Sequence, residues 1–572
     1  MTEQFTFQTT VVRVTVALLL LQGVVIETSS AQVHPRLSAE LSQLTAIGRK
    51  SGPDQRRLLS AGANNLHYLA DSGAVNSINS SLSGRQAVRQ LLANRLPHTA
   101  LAGSGAVRVN DTQLDFSLSR MAGFTQNGSS NAWCGQNIVV GYNDSGALLL
   151  TSVLQTGTGS SGVAVSHDGG ASFQASPFLN AGSDPANFLS GEPVIACSGK
   201  RFYYASLFEF LGPIDPTTGA PRLITSVGVN RSLDGGDTWS DPTPAVRKNA
   251  DSHIVDKEWL TVDPNKSDNL YVSYTDFDYS LQKANGCGGG VRVAIELVAS
   301  PNRGLGWRHP VVLAQLCNPQ RGQALQGSQV VVGNAGEIFA AWVSETTTDE
   351  QILFSSSTDG GLTFSQAVSV GAAVLAGLGG DGRLQDLFQG NSFPSLSVDR
   401  SNGASRGTLY LTWTDASRNQ IPDFLAPIQS YGFGDVVFSR STDGGMTWSP
   451  AEAVSPTPRN FSGPGRDQFL PSAAVDGEGT LAICYFDRRR DPQNNGVDHY
   501  CSISHDQGAN FTDIRGTSRS WAPTHFTDGL MNPVSFGDYD GVSSDASGVS
   551  PGFFSTFQVQ VLGNPDIVGE RF

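Results

Sequence analysis

The sequence predicts an all-β protein: a β-propeller of four-stranded antiparallel blades, with seven blades favoured over six and a short helical extension ahead of them. Three observations carry this. An octapeptide recurs six times along the chain, apolar strand-like runs recur between its copies, and the composition suits short strands and tight turns. Glycine contributes 64 of 572 residues and only 15% of residues are charged. Long helices favour Ala, Leu, Glu and Lys and disfavour Gly, whereas strands bounded by Gly, Asn, Asp and Ser fit this mixture.

Five octapeptides read Ser-x-Asp-x-Gly-x-x-aromatic, beginning at Ser166, Ser232, Ser357, Ser441 and Ser504; a sixth begins at Ser300, with Asn302 in place of the aspartate. The motif describes a turn. Its carboxylate accepts bonds from nearby backbone N–H groups, its glycine admits backbone angles closed to other residues, and its final Trp or Phe buries apolar surface, expected against its own repeat unit. Opening strands are expected at Asn137–Tyr142, Pro193–Cys197, Trp259–Asp263, Ser328–Val332, Pro394–Val398, Pro471–Val475 and Val534–Tyr539. Second strands follow in the middle units at Leu270–Thr275, Ile338–Val343, Leu409–Thr414 and Leu481–Phe486. A third strand leads into each octapeptide and a fourth leaves it, which is the plan of a propeller blade. The last unit has an opening strand and a second one near Phe553–Val561, so its missing strands are expected from Val107–Leu118, joining the two ends of the chain. Closure pairs edges that would otherwise stay open.

Residues 1–31 read as an export signal. Arg13 precedes an apolar run, and Ser29, Ser30 and Ala31 offer a cleavage site before Gln32. An uncleaved anchor is the alternative. After cleavage no integral membrane span is expected, and the protein is placed outside the cell, in a periplasm or at a cell surface. Residues 32–104 carry Leu37, Leu41, Leu44 and Ile47 at helical spacing, then Leu58, Leu59, Leu66 and Leu69. They read as short helices that cap the propeller or form a prosegment, or else as a loosely ordered linker, since Gly48, Gly52 and Pro53 break the period. Residues 105–572 are assigned to the propeller. The net charge of −14 repels phosphate backbones and excludes nucleic acid as a partner. A monomer is expected.

Six cysteines, none in a CxxC pair, give no zinc-ribbon pattern. No metal site or cofactor is read from the sequence. Export permits disulfides. Cys484 and Cys501 are expected to pair. If Thr480–Phe486 and Asp498–Ser504 are neighbouring antiparallel strands, their facing register centres on the turn formers between Arg488 and Gly496. The same register sets Asp487 against Asp498, which needs a cation that Arg488–Arg490 are near enough to supply. The pairing of the other four cysteines is open.

If each opening strand starts at the top of the ring, the octapeptides lie at the bottom. The starts of first strands and the ends of second strands then surround the upper channel mouth. The first group supplies Glu192, Asp256, Lys257, Glu258, Gln326, Asn391, Asp467 and Gln468. The second supplies Asp276, Asp278, Asp415, Arg418, Asp487, Arg488, Arg489 and Arg490, and the last unit supplies Asp538, Tyr539 and Asp540. Convergent polar groups at a concave mouth mark the candidate site. For each residue alone, a turn or strand-edge role is the competing reading.

The octapeptides resemble the Asp box, or BNR repeat, of the sialidase superfamily. The resemblance spans roughly residues 130–560 as a repeat and blade pattern. It implies a propeller, with six blades in the catalytic members, and a site built from three arginines that clamp a substrate carboxylate, a tyrosine nucleophile assisted by a glutamate, and an aspartate acid/base. On that model Tyr539 with Glu258 would imitate the nucleophile pair, with Asp256 and Asp538 as the other catalytic carboxylates. Arg418, Arg488 and Arg489 would supply cations, and Lys257, Asp276, Asp415 and Asp487 would complete substrate binding. The Arg-Ile-Pro motif of that family is missing; Arg120, in SLSRMAG, lies in its region without the Ile-Pro. The resemblance implies a secreted sialidase-like glycoside hydrolase acting on acidic glycans. The alternative is a non-catalytic extracellular propeller that binds glycan or protein.

Overall fold

The computed structural model describes residues 59, 60 and 63 and most of residues 105–572, the longest internal gaps being 149–157, 373–387, 417–432 and 456–465. The expected signal at 1–31, the helical reading of most of 32–104, and Arg418 lie outside the described residues. Seven antiparallel blades form a ring. Their innermost strands are Gln126–Cys134, Val194–Ser198, His253–Val262, Ala324–Val332, Ser395–Val398, Gln468–Val475 and Gly541–Ser544. Each neighbours the next, and the seventh returns to the first. The second blade carries extra short strands on its four-stranded plan, with Phe188–Leu189 pairing its long second strand and Thr158–Gly159 running parallel to it. No helix among the described residues is long and apolar enough to cross a membrane.

Two opening strands differ from expectation. Asn137–Asp144 is the second strand of the first blade, because the polar run Gln126–Cys134 takes the channel position. That run contains Gln, Asn, Gly and Ser, so an apolar pattern could not reveal it. In the seventh blade the innermost strand is Gly541–Ser544, not Val534–Tyr539. Asn564–Arg571 supplies its third strand and Val107–Arg108 its outermost, with Val107 facing Gly569 and Arg108 facing Val568. The N-terminal part thus gives the ring one strand, while Phe116–Leu118 pairs with Met121–Gly123 instead. An ion pair from Arg108 to Asp566 at 2.5 Å and a bond from Asn110 to the same carboxylate at 2.9 Å fix the seam.

All six octapeptides join a third strand to a fourth. At Ser441 the hydroxyl donates to Asp443 at 2.7 Å and accepts from the Gly445 N–H at 2.9 Å, while Asp443 accepts from the Thr447 N–H at 2.9 Å. Asn302 replaces the aspartate with the same acceptor pattern, taking the Gly306 N–H at 2.9 Å. The aromatic side chains pack across to the preceding blade rather than only within their own. Trp448 meets Phe354 edge-on at 5.2 Å, Phe511 meets Phe438 at 5.2 Å, and Phe173 meets Phe554 across the closure seam at 5.6 Å. The octapeptide glycines lie in the same contacts. A Cβ on Gly445 would lie 2.0 Å from the Phe354 ring and one on Gly508 2.5 Å from Phe438. Neighbouring blades pack against each other, so apolar surface within reach of a turn at the outer half of one blade belongs to a strand of its neighbour.

These hydrogen bonds hold Asp168, Asp443 and Asp506 down at about 2. A carboxyl depressed on folding stabilises the fold above its unfolded range, near 4, and loses that contribution as pH falls toward 2. Asp443→Ala is therefore expected to lower the urea unfolding free energy at pH 7 by about 1 kcal/mol, the low end for a lost hydrogen-bond set because the turn faces water. The difference from wild type should shrink as pH falls through about 2.

Three disulfides close the covalent frame: Cys134–Cys197, Cys287–Cys317 and Cys484–Cys501. The first links the innermost strands of the first two blades. The third lies between facing residues of adjacent strands, and Asp487 faces Asp498, as the register argument expects. Arg489 supplies the cation for Asp487 at 2.6 Å, and Arg515, rather than Arg488 or Arg490, supplies that for Asp498 at 2.6 Å. Non-reducing peptide mapping should recover these three cross-linked pairs and no alkylatable thiol. Disulfides suit an oxidising compartment.

Candidate functional site

The site residues stand where the innermost strands enter the ring. Four of these strands carry a register shift there: between Asn127 and Ser130, Asp256 and Trp259, Gln326 and Gln329, and Phe469 and Ser472. Each shift contains a residue in the left-handed region: Gly128 at φ 58°, Lys257 at 51°, Gly327 at 68° and Leu470 at 52°. In the second blade Glu192, at φ 57°, holds the corresponding place just before its strand. Bulges re-aim side chains, and they concentrate beside functional sites. Left-handed backbone is unfavourable for residues with a Cβ, so its retention at Glu192 and Lys257 marks positions that the surrounding structure enforces.

Those two residues meet. The Lys257 ammonium lies 3.6 Å from the Glu192 carboxylate and 3.6 Å from the centre of the Tyr539 ring, with the centre of the Phe393 ring at 5.5 Å. Trp259 packs edge-on against Tyr539 at 5.9 Å. The Tyr539 hydroxyl donates to the Pro193 carbonyl at 2.7 Å. Burial, followed by the nearby charges of Glu192, Glu258 and Asp538, pushes the Tyr539 phenol well above its ordinary range.

Glu258 follows Lys257 on the same strand and is 1% exposed. Apart from its own backbone N–H, neither carboxyl oxygen has a hydrogen-bond partner. Burial raises its pKa well above the carboxylate range, and the charges of Glu192 and Asp256 add to that. Asp256 is also buried, which lifts it to about 6 against the bonds it accepts. Those bonds come from Gln326 Nε2 at 2.8 Å, from the Ser60 N–H at 2.7 Å and from the Ser60 hydroxyl. Asn391 donates to the Asp538 carbonyl at 2.8 Å. Asp256, Lys257, Glu258, Asp538 and Tyr539 are thus brought together with Glu192.

Asp276, Asp415, Asp487, Arg488 and Arg489 lie in other networks. Asp276 is enclosed by Lys248 at 3.0 Å, His253 at 2.9 Å and Arg292 at 3.3 Å. Burial opposes its ionisation, yet the His253 hydrogen bond and the Lys248 charge hold it below the usual range. Asp415 ends its strand in register with Asp435. Arg488 is fully buried, bonded to the Asn494 carbonyl at 2.8 Å and 3.5 Å from Asp467. Arg489 bridges Asp487 and Asp513 and stacks on Tyr500, and burial raises Asp487 despite it. Sequence reasoning passed over Phe393, Trp259 and Ser60. Trp259 reads as an ordinary opening-strand residue, Phe393 lies just ahead of the strand expected at Pro394–Val398, and nothing local to Ser60 points to a partner 196 positions away.

No family model matches the chain, and no curated protein matches it. Among solved structures, a protein of unknown function from Dyadobacter fermentans is similar at 12% identity, covering 66% of this chain and 93% of that one, with a TM-score of 0.39. The Hadza microbial sialidase Hz136 is similar at 12% identity, covering 66% and 64%, with a TM-score of 0.38. The Trypanosoma rangeli sialidase is similar at 13% identity, covering 66% and 54%, with a TM-score of 0.34. This chain thus spans about half to two-thirds of those two sialidases' length. At these values the likeness carries no functional assignment.

Proposed function

We propose that the protein is a secreted propeller hydrolase that cleaves a glycosidic bond at the upper channel mouth, with Glu258 as proton donor. One observation carries the reading: Glu258, a buried carboxyl whose pKa burial raises, stands near Glu192, whose carboxylate lies 3.6 Å from the Lys257 ammonium. Two carboxyls with opposed protonation are what glycoside hydrolysis requires. The Glu258 proton passes to the glycosidic oxygen as the carbon–oxygen bond breaks. Glu192 takes a proton from the water whose oxygen bonds to the sugar carbon. Tyr539 and Phe393 form aromatic walls, and Asp256 and Asp538 are acceptors for sugar hydroxyls. Tyr539, bonded through its hydroxyl to Pro193, serves as wall rather than nucleophile in this scheme. Arg488 and Arg489 are engaged within the sixth blade, so a hydroxyl-rich neutral glycan suits the mouth better than an acidic one.

The engagement of Lys257 and Tyr539 with protein partners supports a second reading, a propeller that binds glycan without cleaving it. A panel of aryl-glycosides with neutral and acidic polysaccharides separates the two. Reducing-end release supports hydrolysis, saturable binding without release supports the second reading, and neither result with any member rejects both.

A further inference from the structure

Asp256 lies at the mouth, yet its carboxylate is already taken by the chain's own N-terminal segment. Ser60 is fully buried and directs two donors at it, its backbone N–H at 2.7 Å and its hydroxyl. Such a pair on one carboxylate is the pattern a ligand with adjacent hydroxyl or amide donors would present. Leu59 and Ala63 flank the contact and pack in one apolar cluster with Ile254, Phe277, Ala324 and Leu325. Ile254 and Phe277 lie at the mouth ends of the first two strands of the third blade, and Ala324 and Leu325 begin the innermost strand of the fourth. The Ser60 hydroxyl also accepts from the Ala63 N–H at 3.2 Å, the reach of a helix N-cap, which fixes its direction.

The ring does not need this contact. Its seam is closed by Val107–Arg108 on Asn564–Arg571, and its innermost strands neighbour one another all the way round. Gln326 alone would leave Asp256 with acceptor capacity facing the mouth.

We propose that the segment at Leu59, Ser60 and Ala63 is a built-in competitor for the mouth: a plug that occupies the Asp256 subsite with donors imitating those of a glycan, and that must be displaced or removed before a ligand enters. The proposal rests on the mouth being the ligand site. A ligand that binds only the open form has its apparent affinity reduced by the fraction of molecules that are open.

The test uses the full chain and two variants, Ser60→Ala, which removes the hydroxyl donor, and Leu59→Asp, which sets a carboxylate beside Asp256. Carbodiimide-driven amine coupling, read by peptide mass mapping, reports access to Asp256. Access is expected to rise about tenfold in Ser60→Ala and further in Leu59→Asp, with the urea midpoint of the propeller unchanged. Glycan affinity should rise by the same factor. Equal labelling in all three proteins would overturn the plug, as would a fall in the urea midpoint accompanying the labelling, since the segment would then be part of the ring's core. Exposed Asp256 with unimproved affinity for a bound glycan would also overturn it. If no glycan binds any of the three, the reading of the mouth fails, while the labelling still decides whether the segment is displaceable.

Discussion

Arg488→Ala is expected to destabilise the propeller by about 3–5 kcal/mol, the cost of leaving a buried charge without its partner. Arg488 has no exposed surface. Its guanidinium donates to the Asn494 carbonyl at 2.8 Å, lies 3.5 Å from Asp467 and stacks 5.3 Å above the Phe469 ring. Asp467 in turn accepts from the Asn494 side chain at 2.8 Å and the Gly434 N–H at 3.1 Å, tying the sixth blade to the fifth. Removing the arginine strands that carboxylate in a dry site. Urea unfolding at pH 7 should show the loss. The double variant Asp467→Asn/Arg488→Met should recover most of it, because no unpaired charge remains and the apolar volume is kept. An Arg488→Ala protein with an unchanged midpoint would show that the ion pair has no part in holding the blades.

Glu258→Gln is expected to reduce turnover at least ~100-fold, the lower range for a lost general acid, while leaving the urea unfolding free energy within about 0.5 kcal/mol of wild type. The amide fills the same volume and carries no charge, like the protonated acid it replaces. The wild-type pH profile follows from the same group. A carboxyl raised on folding keeps its proton above the pH at which a free carboxyl ionises, so the alkaline limb of turnover should lie above the ordinary carboxylate range, while protonation of the base Glu192 sets the acid limb. Its contribution to stability has the same sign: it is present below the unfolded carboxyl range and lost as pH rises through the folded value. Full turnover by Glu258→Gln on a substrate that wild type cleaves would remove Glu258 from the reaction.

Within the sequence, the turns and the strands they join were legible because their causes are local. An aspartate two residues after a serine, a glycine and a terminal aromatic close the same hydrogen-bonded turn at Ser166, Ser232, Ser357, Ser441 and Ser504, wherever the segment sits. The Cys484–Cys501 pairing was legible for a similar reason, since one short hairpin fixes a register. The channel strand Gln126–Cys134 was not, because its polar residues face partners on other blades: Asn131 reaches Thr556, and Ser129 reaches Asp540.

The sequence by itself determined the architecture and the group of polar positions at the strand ends. Repeated local chemistry, copied along the chain, leaves the ring as the arrangement that pairs every edge. Tertiary structure alone decided how those positions divide. Lys257 meets Glu192 and Tyr539 through left-handed backbone, Arg488 turns inward to Asp467, and Ser60 crosses to Asp256. Each choice depends on the distance and burial of groups far apart in sequence. The same carboxylate or guanidinium is a loop charge, a buried ion pair or a site residue according to how much water it loses and which partner replaces it.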